Sequence, residues 1–184
     1  HALLPDTSDG ERFLMVGTIE PRKGHAFVLD AFENLWAQGS NANLVIVGKQ
    51  GWRVADLVDR IQAHPQLGKR LIWLSKLNDA DLERAYNEVD CLVAASEVEG
   101  FGLPLIEAAQ RKLPVIARYI PVFREIAGSA VHYFESDAPS NLSAEILEWT
   151  RHYKAGTHPR SSDMRWQTWA ESAACLLKMI IDKP

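Results

Sequence analysis

The chain alternates short apolar segments with stretches in which apolar residues recur at helical spacing. The apolar segments are mostly continuous, which is typical of strands buried on both faces of a parallel sheet. They are Arg12 to Val16, Leu44 to Val47, Leu71 to Leu74, Cys91 to Ala95, Val115 to Ala117 and Val131 to Phe134. This pattern predicts six strands.

Amphipathic helices are predicted between these strands. Two sets of apolar residues fall at positions i, i+3, i+4 and i+7: Val54, Leu57, Val58 and Ile61, and then Leu82, Ala85, Tyr86 and Val89. Asn78 or Asp79 suits the N-cap of the second helix, and Pro104 suits the first turn of another that ends near Arg111. We therefore predict an α/β fold, a doubly wound and mainly parallel sheet of about six strands with helices on both faces.

The C-terminal part predicts a last helix with one apolar stripe: Trp166, Trp169, Ala173, Leu176, Leu177 and Ile180. His152 to Ser162, which contains Gly156 and Pro159, is interpreted as a linker before it. Exposed aromatic surface usually marks an interface, so we expect the chain to self-associate through this helix.

Composition adds limits rather than a function. The 184 residues, 47% hydrophobic and 24% charged, suit one domain over residues 1–184. A net charge of −4 provides no general basic field for nucleic acid. Cys91 and Cys175 form no metal or disulfide motif, which fits a reducing cytoplasm, and the apolar runs are too short to span a bilayer.

Glycine and charged residues collect where three predicted strands end. Gly17 leads to Lys23-Gly24, Gly48 leads to Gly51-Trp52, and Ser96 leads to a segment that contains Gly100-Phe101-Gly102. The carboxyl ends of parallel strands meet at one edge of a sheet, where helix N-termini favour anions. We predict a phosphate site at this edge, although these glycines could also serve only to make turns.

Two glutamates bracket the glycine-rich turn. Glu99 lies in the loop and Glu107 one turn into the following helix. Acidic residues in a first helical turn often only complement the helix dipole, but two around such a turn favour a binding site. Arg22 and Lys23 could be a solvated pair; because cations near a helix N-terminus are mildly unfavourable, their placement favours an anionic ligand.

These residues resemble the C-terminal domain of retaining GT-B glycosyltransferases, a family that includes bacterial mannosyl- and glucosyltransferases. The specific element is a Glu-x7-Glu motif, here Glu99 to Glu107 within Ser96 to Glu107. Other segments match the family in the same order: Gly17 with Lys23-Gly24, Leu44 to Gly48, Asp81-Leu82 with Tyr86, Pro114 to Ala117 and Glu125 to Gly128. The resemblance covers nearly the whole chain.

The resemblance implies a role for each motif residue toward a nucleotide-diphospho-sugar donor. Glu107 would bind the ribose hydroxyls, and Glu99 with the amides of Phe101 and Gly102 would hold the transferred sugar. Lys23 would neutralise the diphosphate, and the amide of Leu103 would cap it. The resemblance implies no cofactor and no metal.

The chain departs from the commonest family pattern after the first glycine. Thr18 follows Gly17 where arginine is usual, and the charge is found instead at Arg22 in Glu20 to Lys23. This variant resembles mannosyltransferases that use GDP-mannose, so Arg22 is assigned to the phosphates and GDP-mannose is the favoured donor. The loop that contains Leu77 and Asp79 is expected to lie against the nucleobase.

The resemblance also implies a larger protein. A saccharide or lipid-linked saccharide acceptor would bind through an N-terminal domain absent from this chain. We therefore expect the 184 residues alone to bind donor but not to transfer sugar. The full-length protein is expected in the cytoplasm, where a peripheral position at the inner face of the membrane is compatible with the resemblance.

Three interpretations remain at this stage. A transferase donor domain is the first, and Glu99, Lys23 and Arg22 would be its catalytic residues. A sugar-nucleotide epimerase of the same architecture is the second, and a non-catalytic module that binds nucleotide sugars is the third. A dinucleotide enzyme is disfavoured because no Gly-x-Gly-x-x-Gly follows the first strand.

Overall fold

The computed structural model describes residues 2–5, 9–166, 173 and 177–178. The described residues form one parallel sheet in the order β3-β2-β1-β4-β5-β6. Its strands are Arg12–Val16 (β1), Asn43–Val47 (β2), Leu71–Leu74 (β3), Cys91–Ala94 (β4), Val115–Arg118 (β5) and His132–Phe134 (β6). All six predicted strands are confirmed, with ends that differ by at most one residue.

Six α-helices connect and follow these strands within the described part of the chain. They are His25–Ala37 (α1), Ala55–Gln62 (α2), Asp79–Asn87 (α3), Leu103–Gln110 (α4), Pro121–Ala127 (α5) and Pro139–Ala155 (α6). The predicted cap of α3 is confirmed, because the Asn78 side chain accepts a hydrogen bond of 2.8 Å from the amide of Asp81. Pro104 lies in the first turn of α4, as predicted.

The sheet separates two apolar layers because neighbouring residues of each strand point to opposite faces. On β1, Phe13 and Met15 belong to the layer covered by α1, α2 and α6, whereas Leu14 belongs to the layer covered by α3, α4 and α5. Both faces of the sheet are thus buried, which explains why its strands are apolar at nearly every position.

The strand order reverses direction between β1 and β4. The chain moves outward from β1 to β3, returns to β4 on the other side of β1, and continues to β6. In such sheets a crevice opens beyond the carboxyl ends of the two strands at the reversal. The loops after β1 and β4 contain Lys23 and Glu99, so the fold places the two segments together.

The stretch His152 to Ser162, interpreted as a linker, is irregular only from Gly156 to Arg160. Helix α6 continues through Ala155, and Gly156 ends it in a left-handed conformation with φ of 69°. His158 then packs against Trp149 and Tyr153, with ring centroids 6.2 and 5.1 Å apart. Local glycine and proline content suggested a loop, but tertiary packing holds the segment on α6.

The predicted last helix lies mostly outside the described residues. This applies to Trp169, Leu176 and Ile180. Trp166 and Leu177 are described and exposed. Self-association through this helix stays a prediction.

Candidate functional site

The loops after β1 and β2 run side by side at the carboxyl edge of the sheet. The amide of Gly17 donates to the carbonyl of Val47, and that of Ile19 to Lys49, each at 2.9 Å. A Cβ atom on Gly48 would lie 1.9 Å from the Gly17 carbonyl oxygen. This close approach requires glycine at position 48. The backbones of the two loops are therefore in direct contact at the carboxyl edge of the sheet.

A short 3-10 helix, Pro21–Lys23, presents two cations toward the loop after β4. The ammonium of Lys23 pairs with one oxygen of Glu99, and Arg22 Nη1 lies 3.0 Å from the other. Arg22 Nε also lies 2.9 Å from Glu20. The Glu99 side chain is only 8% exposed, so a nearly buried carboxylate holds both cations. These three residues, Arg22, Lys23 and Glu99, are called the charged cluster below.

The charged cluster lies beside the beginning of α4. Gly102 caps this helix with φ of 71°, and a Cβ there would approach Ile126 to 3.1 Å. Phe101 and Leu103 are exposed on either side of it. The first turn of a helix has amides without intrahelical partners and a positive dipole end, so an anion near Gly102 would be stabilised.

Glu107 lies farther along α4 and contacts a different element. Its carboxylate accepts a hydrogen bond of 2.6 Å from the hydroxyl of Tyr86 on α3. Glu107 is half-buried. The two glutamates of the motif are thus held by separate partners, Glu99 by the loop after β1 and Glu107 by α3.

A cavity of about 410 Å³ opens between the ends of β1, β2 and β3. Gly17, Lys49, Lys76 and Leu77 are among the residues that line it. Of the two residues expected near a base, Leu77 borders this cavity. Asp79 is instead the exposed first residue of α3 and does not belong to the lining.

His25 is a feature of the site that sequence reasoning did not select. It begins α1 directly after Lys23-Gly24 and is 2% exposed, in a small cavity that Lys23, Ser96 and Glu99 also line. Neither ring nitrogen has a hydrogen-bond partner among the described residues. Burial, and secondarily the charge of Lys23, lower the pKa of His25 to about 4. Its position next to the lysine of the motif was the available signal.

The described ranges contain neither a cluster of metal ligands nor a membrane-spanning helix. No group of three or more His, Cys, Asp or Glu side chains there is placed to hold a metal ion. Within the same ranges, no helix combines the length and the apolar character that a membrane crossing needs.

The fold and the charged cluster together define a class of protein. A parallel Rossmann-like sheet with cations and a capped helix N-terminus at its reversal point, and a cavity beyond the neighbouring strands β1 to β3, is typical of proteins that bind phosphorylated nucleotides. The expected fold class is confirmed.

Comparison with known proteins identifies the family. Residues 4–161 match the family of glycosyl transferases group 1. The chain is 51% identical to the serotype-specific mannosyltransferase WbdA of Escherichia coli over 178 aligned residues. This alignment covers 97% of the chain and 22% of WbdA. The chain belongs to the glycosyl transferases group 1 family, which favours the transferase among the three interpretations.

Solved structures show the same fold. The C-terminal domain of the group 1 glycosyl transferase LpcC from Francisella tularensis matches with a TM-score of 0.68 and 20% identity, over 83% of this chain and 81% of that one. HepE from Anabaena, solved in complex with UDP and glucose, matches with a TM-score of 0.72 and 18% identity, over 95% of this chain and 49% of HepE. The chain thus has the fold of a GT-B C-terminal domain, and it spans about a fifth of the length of WbdA.

Proposed function

We propose that this chain is the donor-binding domain of a retaining hexosyltransferase and that it binds a nucleotide-diphospho-sugar, with GDP-mannose favoured. The observation that carries the proposal is the charged cluster, in which Lys23 and Arg22 converge on Glu99 beside the N-terminus of α4. Identity to a mannosyltransferase supports the choice of mannose. The structural relative that was solved with UDP and glucose supports a nucleotide and a sugar as ligands.

In this proposal the cations act on the diphosphate. Negative charge develops on the leaving diphosphate as the bond to the sugar breaks, and preorganised positive groups stabilise it. Lys23 is 15% exposed and paired with Glu99, whereas Arg22 is 43% exposed and has room to move toward the ligand. The backbone amide of Leu103, at the N-terminus of α4, would donate to the same diphosphate.

The remaining motif residues would bind the nucleoside and the sugar. Glu107 would accept hydrogen bonds from the ribose hydroxyls, and the cavity lined by Gly17 and Leu77 would take the base. Glu99, with the amides of Phe101 and Gly102, would orient the transferred sugar. Because Glu99 is paired with Lys23 and Arg22 in the free protein, donor binding would replace part of this pairing with contacts to phosphate and sugar.

Retention would proceed through an oxocarbenium-like transition state in which the leaving diphosphate and the entering hydroxyl share one face of the sugar. The protein would contribute charge stabilisation and positioning, without a metal or another cofactor. We further propose that the saccharide acceptor binds an N-terminal domain of the whole protein. That protein would act in the cytoplasm at the membrane surface.

Calorimetric titration tests this proposal directly. We expect GDP-mannose to bind more tightly than UDP-glucose or ADP-glucose. Lys23→Ala should weaken GDP binding about tenfold to a hundredfold, the effect of losing a hydrogen bond to a charged group. The affinity for guanosine, which has no phosphate, should fall less than about twofold in this variant. The loss of GDP affinity should be smaller at high salt.

Two further variants sharpen the titration. Arg22→Ala should act in the same direction with a smaller effect, because this side chain is more exposed. Lys69→Ala is the matched control, since Lys69 is an exposed lysine in the turn before β3, away from the charged cluster. Equal losses for GDP and guanosine in Lys23→Ala would contradict a phosphate role, and failure of every sugar nucleotide to bind would contradict the proposed function.

A further inference from the structure

The hydroxyl of Tyr86 forms the hydrogen bond that holds the Glu107 carboxylate. Tyr86 lies on α3, 2% exposed, and its hydroxyl donates to Glu107 Oε2 at 2.6 Å. Tyr86 is also a member of the apolar layer beneath α3 and α4. Its ring is therefore fixed by packing, and the direction of its hydroxyl is fixed with it.

Arg111 closes a network around this pair. Its guanidinium carbon lies 4.5 Å from the centre of the Tyr86 ring, a cation–π distance. Nη1 donates to the backbone carbonyl of Glu107 at 2.7 Å, while Nε donates to Glu83 on α3 at 2.9 Å. Tyr86, Glu107, Arg111 and Glu83 thus form one connected unit that joins α3 to α4.

The protonated hydroxyl is a dependable donor in this position. Burial, and then the hydrogen bond to Glu107, raise the pKa of Tyr86 far above its ordinary value. Hydrogen bonds to a carboxylate are stronger than those between neutral groups. The Tyr86 bond occupies Oε2 and orients the carboxylate, so that in the proposed function Oε1 would accept from the ligand.

We infer that Tyr86 is the positioning residue that fixes the Glu107 carboxylate and so sets how strongly the site prefers ribose over deoxyribose. The inference rests on the proposed function, in which Glu107 accepts hydrogen bonds from the ribose hydroxyls. Because one of its oxygens is already held by Tyr86, the carboxylate is ordered before the ligand binds. It can then accept a hydrogen bond from a ribose hydroxyl without a further loss of side-chain entropy. Tyr86 does not itself touch the ligand.

The test is the ratio of affinities for GDP and for 2′-deoxy- and 3′-deoxy-GDP, measured by calorimetry. In the wild type we expect GDP to bind about tenfold more tightly than at least one deoxy form. Tyr86→Phe keeps the ring and removes the hydroxyl. It should weaken GDP binding about fivefold and change deoxy-GDP binding less than about twofold, so the ratio falls toward one.

A control of matched chemistry is present elsewhere in the chain. The hydroxyl of Tyr153 on α6 donates to Asp90 at 3.0 Å. Tyr153→Phe therefore removes another tyrosine–carboxylate bond and should leave the ratio at its wild-type value. If Tyr86→Phe lowers the melting temperature but also keeps the ratio, its hydroxyl only stabilises the α3–α4 contact and the inference is overturned.

Two further variants keep the test decisive. In a Glu107→Ala background, removing the Tyr86 hydroxyl should have no additional effect on GDP affinity; additive losses would overturn the inference. Arg111→Ala, at a side chain that is 22% exposed, should lower the ratio as Tyr86→Phe does, even if the latter folds poorly. A wild type with no preference for ribose would instead overturn the proposed role of Glu107, and with it the inference.

Discussion

At the carboxyl edge of the sheet, the Glu99 carboxylate neutralises the positive charges of Lys23 and Arg22. Its side chain and that of Lys23 are both largely withdrawn from solvent, 8% and 15% exposed. Charges in such a position are stable only when they are paired. The free protein therefore keeps Lys23 and Arg22 in place with an internal anion, and a diphosphate would take over part of that function.

A single residue, His25, makes the stability of the fold depend on pH. Its folded pKa of about 4 lies below the ordinary value of 6.5, because burial and the nearby Lys23 disfavour the imidazolium. Protonation therefore favours the unfolded chain. Stability from this group is complete above pH 6.5 and is lost as the pH falls toward 4, by about 3 kcal/mol in total.

Chemical denaturation at pH 7 and at pH 4.5 measures this dependence. The free energy of unfolding of His25→Leu should fall less than that of the wild type between the two values, by roughly 2 kcal/mol. His152→Leu is the control, since that side chain is about half exposed, and it should keep the wild-type dependence. The same dependence in His25→Leu as in the wild type would rule out a neutral, buried imidazole at position 25.

At the scale of elements, the junction between the 3-10 helix and α1 depends on Gly24. This residue has φ of 73°, and a Cβ on it would lie 2.5 Å from the carbonyl oxygen of Ala95. The start of α1 is thus seated directly on the end of β4. The seating brings Lys23 within reach of Glu99, 76 residues away along the chain.

Gly24→Ala should therefore destabilise the fold by about 3 kcal/mol, the sum of left-handed strain and a clash with backbone. Gly39→Ala separates the two effects, because Gly39 has φ of 86° but no atom within 4 Å of the added Cβ. That control should lose only about 1 kcal/mol. Equal losses in thermal or urea unfolding would show that strain alone acts at Gly24 and that α1 is not seated closely on β4.

At the scale of the whole molecule, α6 completes the apolar layer over one face of the sheet. Trp149 is fully buried, with its ring 5.4 Å from Phe13 on β1 and stacked at 4.8 Å on Tyr153. The hydroxyl of Ser143 also donates to the Ala31 carbonyl of α1 at 2.9 Å. Helix α6 is therefore part of the core.

Trp149→Ala should reduce the free energy of unfolding by about 4 kcal/mol, because it leaves a large cavity between α6 and β1. Urea denaturation monitored by circular dichroism measures this loss. Trp52→Ala is the control at an exposed tryptophan and should change stability by less than about 0.5 kcal/mol. A loss below about 1 kcal/mol in Trp149→Ala would mean that α6 is dispensable for the fold.

Local patterns in the sequence determined the elements and the segment that carries the motif. Continuous apolar runs identified all six strands, since a strand buried on both faces must be apolar, and Asn78 and Pro104 located two helix starts. Glu99 and Glu107 were selected because glycines and charges cluster at predicted strand ends. These features report burial and backbone conformation at single positions.

Only the tertiary structure decided which of these residues meet. The order of strands in the sheet brings Glu99 to Lys23, and the packing of α3 on α4 brings Tyr86 to Glu107, contacts that span 76 and 21 residues. The burial of His25 likewise depends on neighbours that are distant in the chain, and near the end of α6 the Tyr153 hydroxyl bonds to Asp90, 63 residues away. A local pattern can show that a residue is polar or apolar, but its partner is set by which elements pack together.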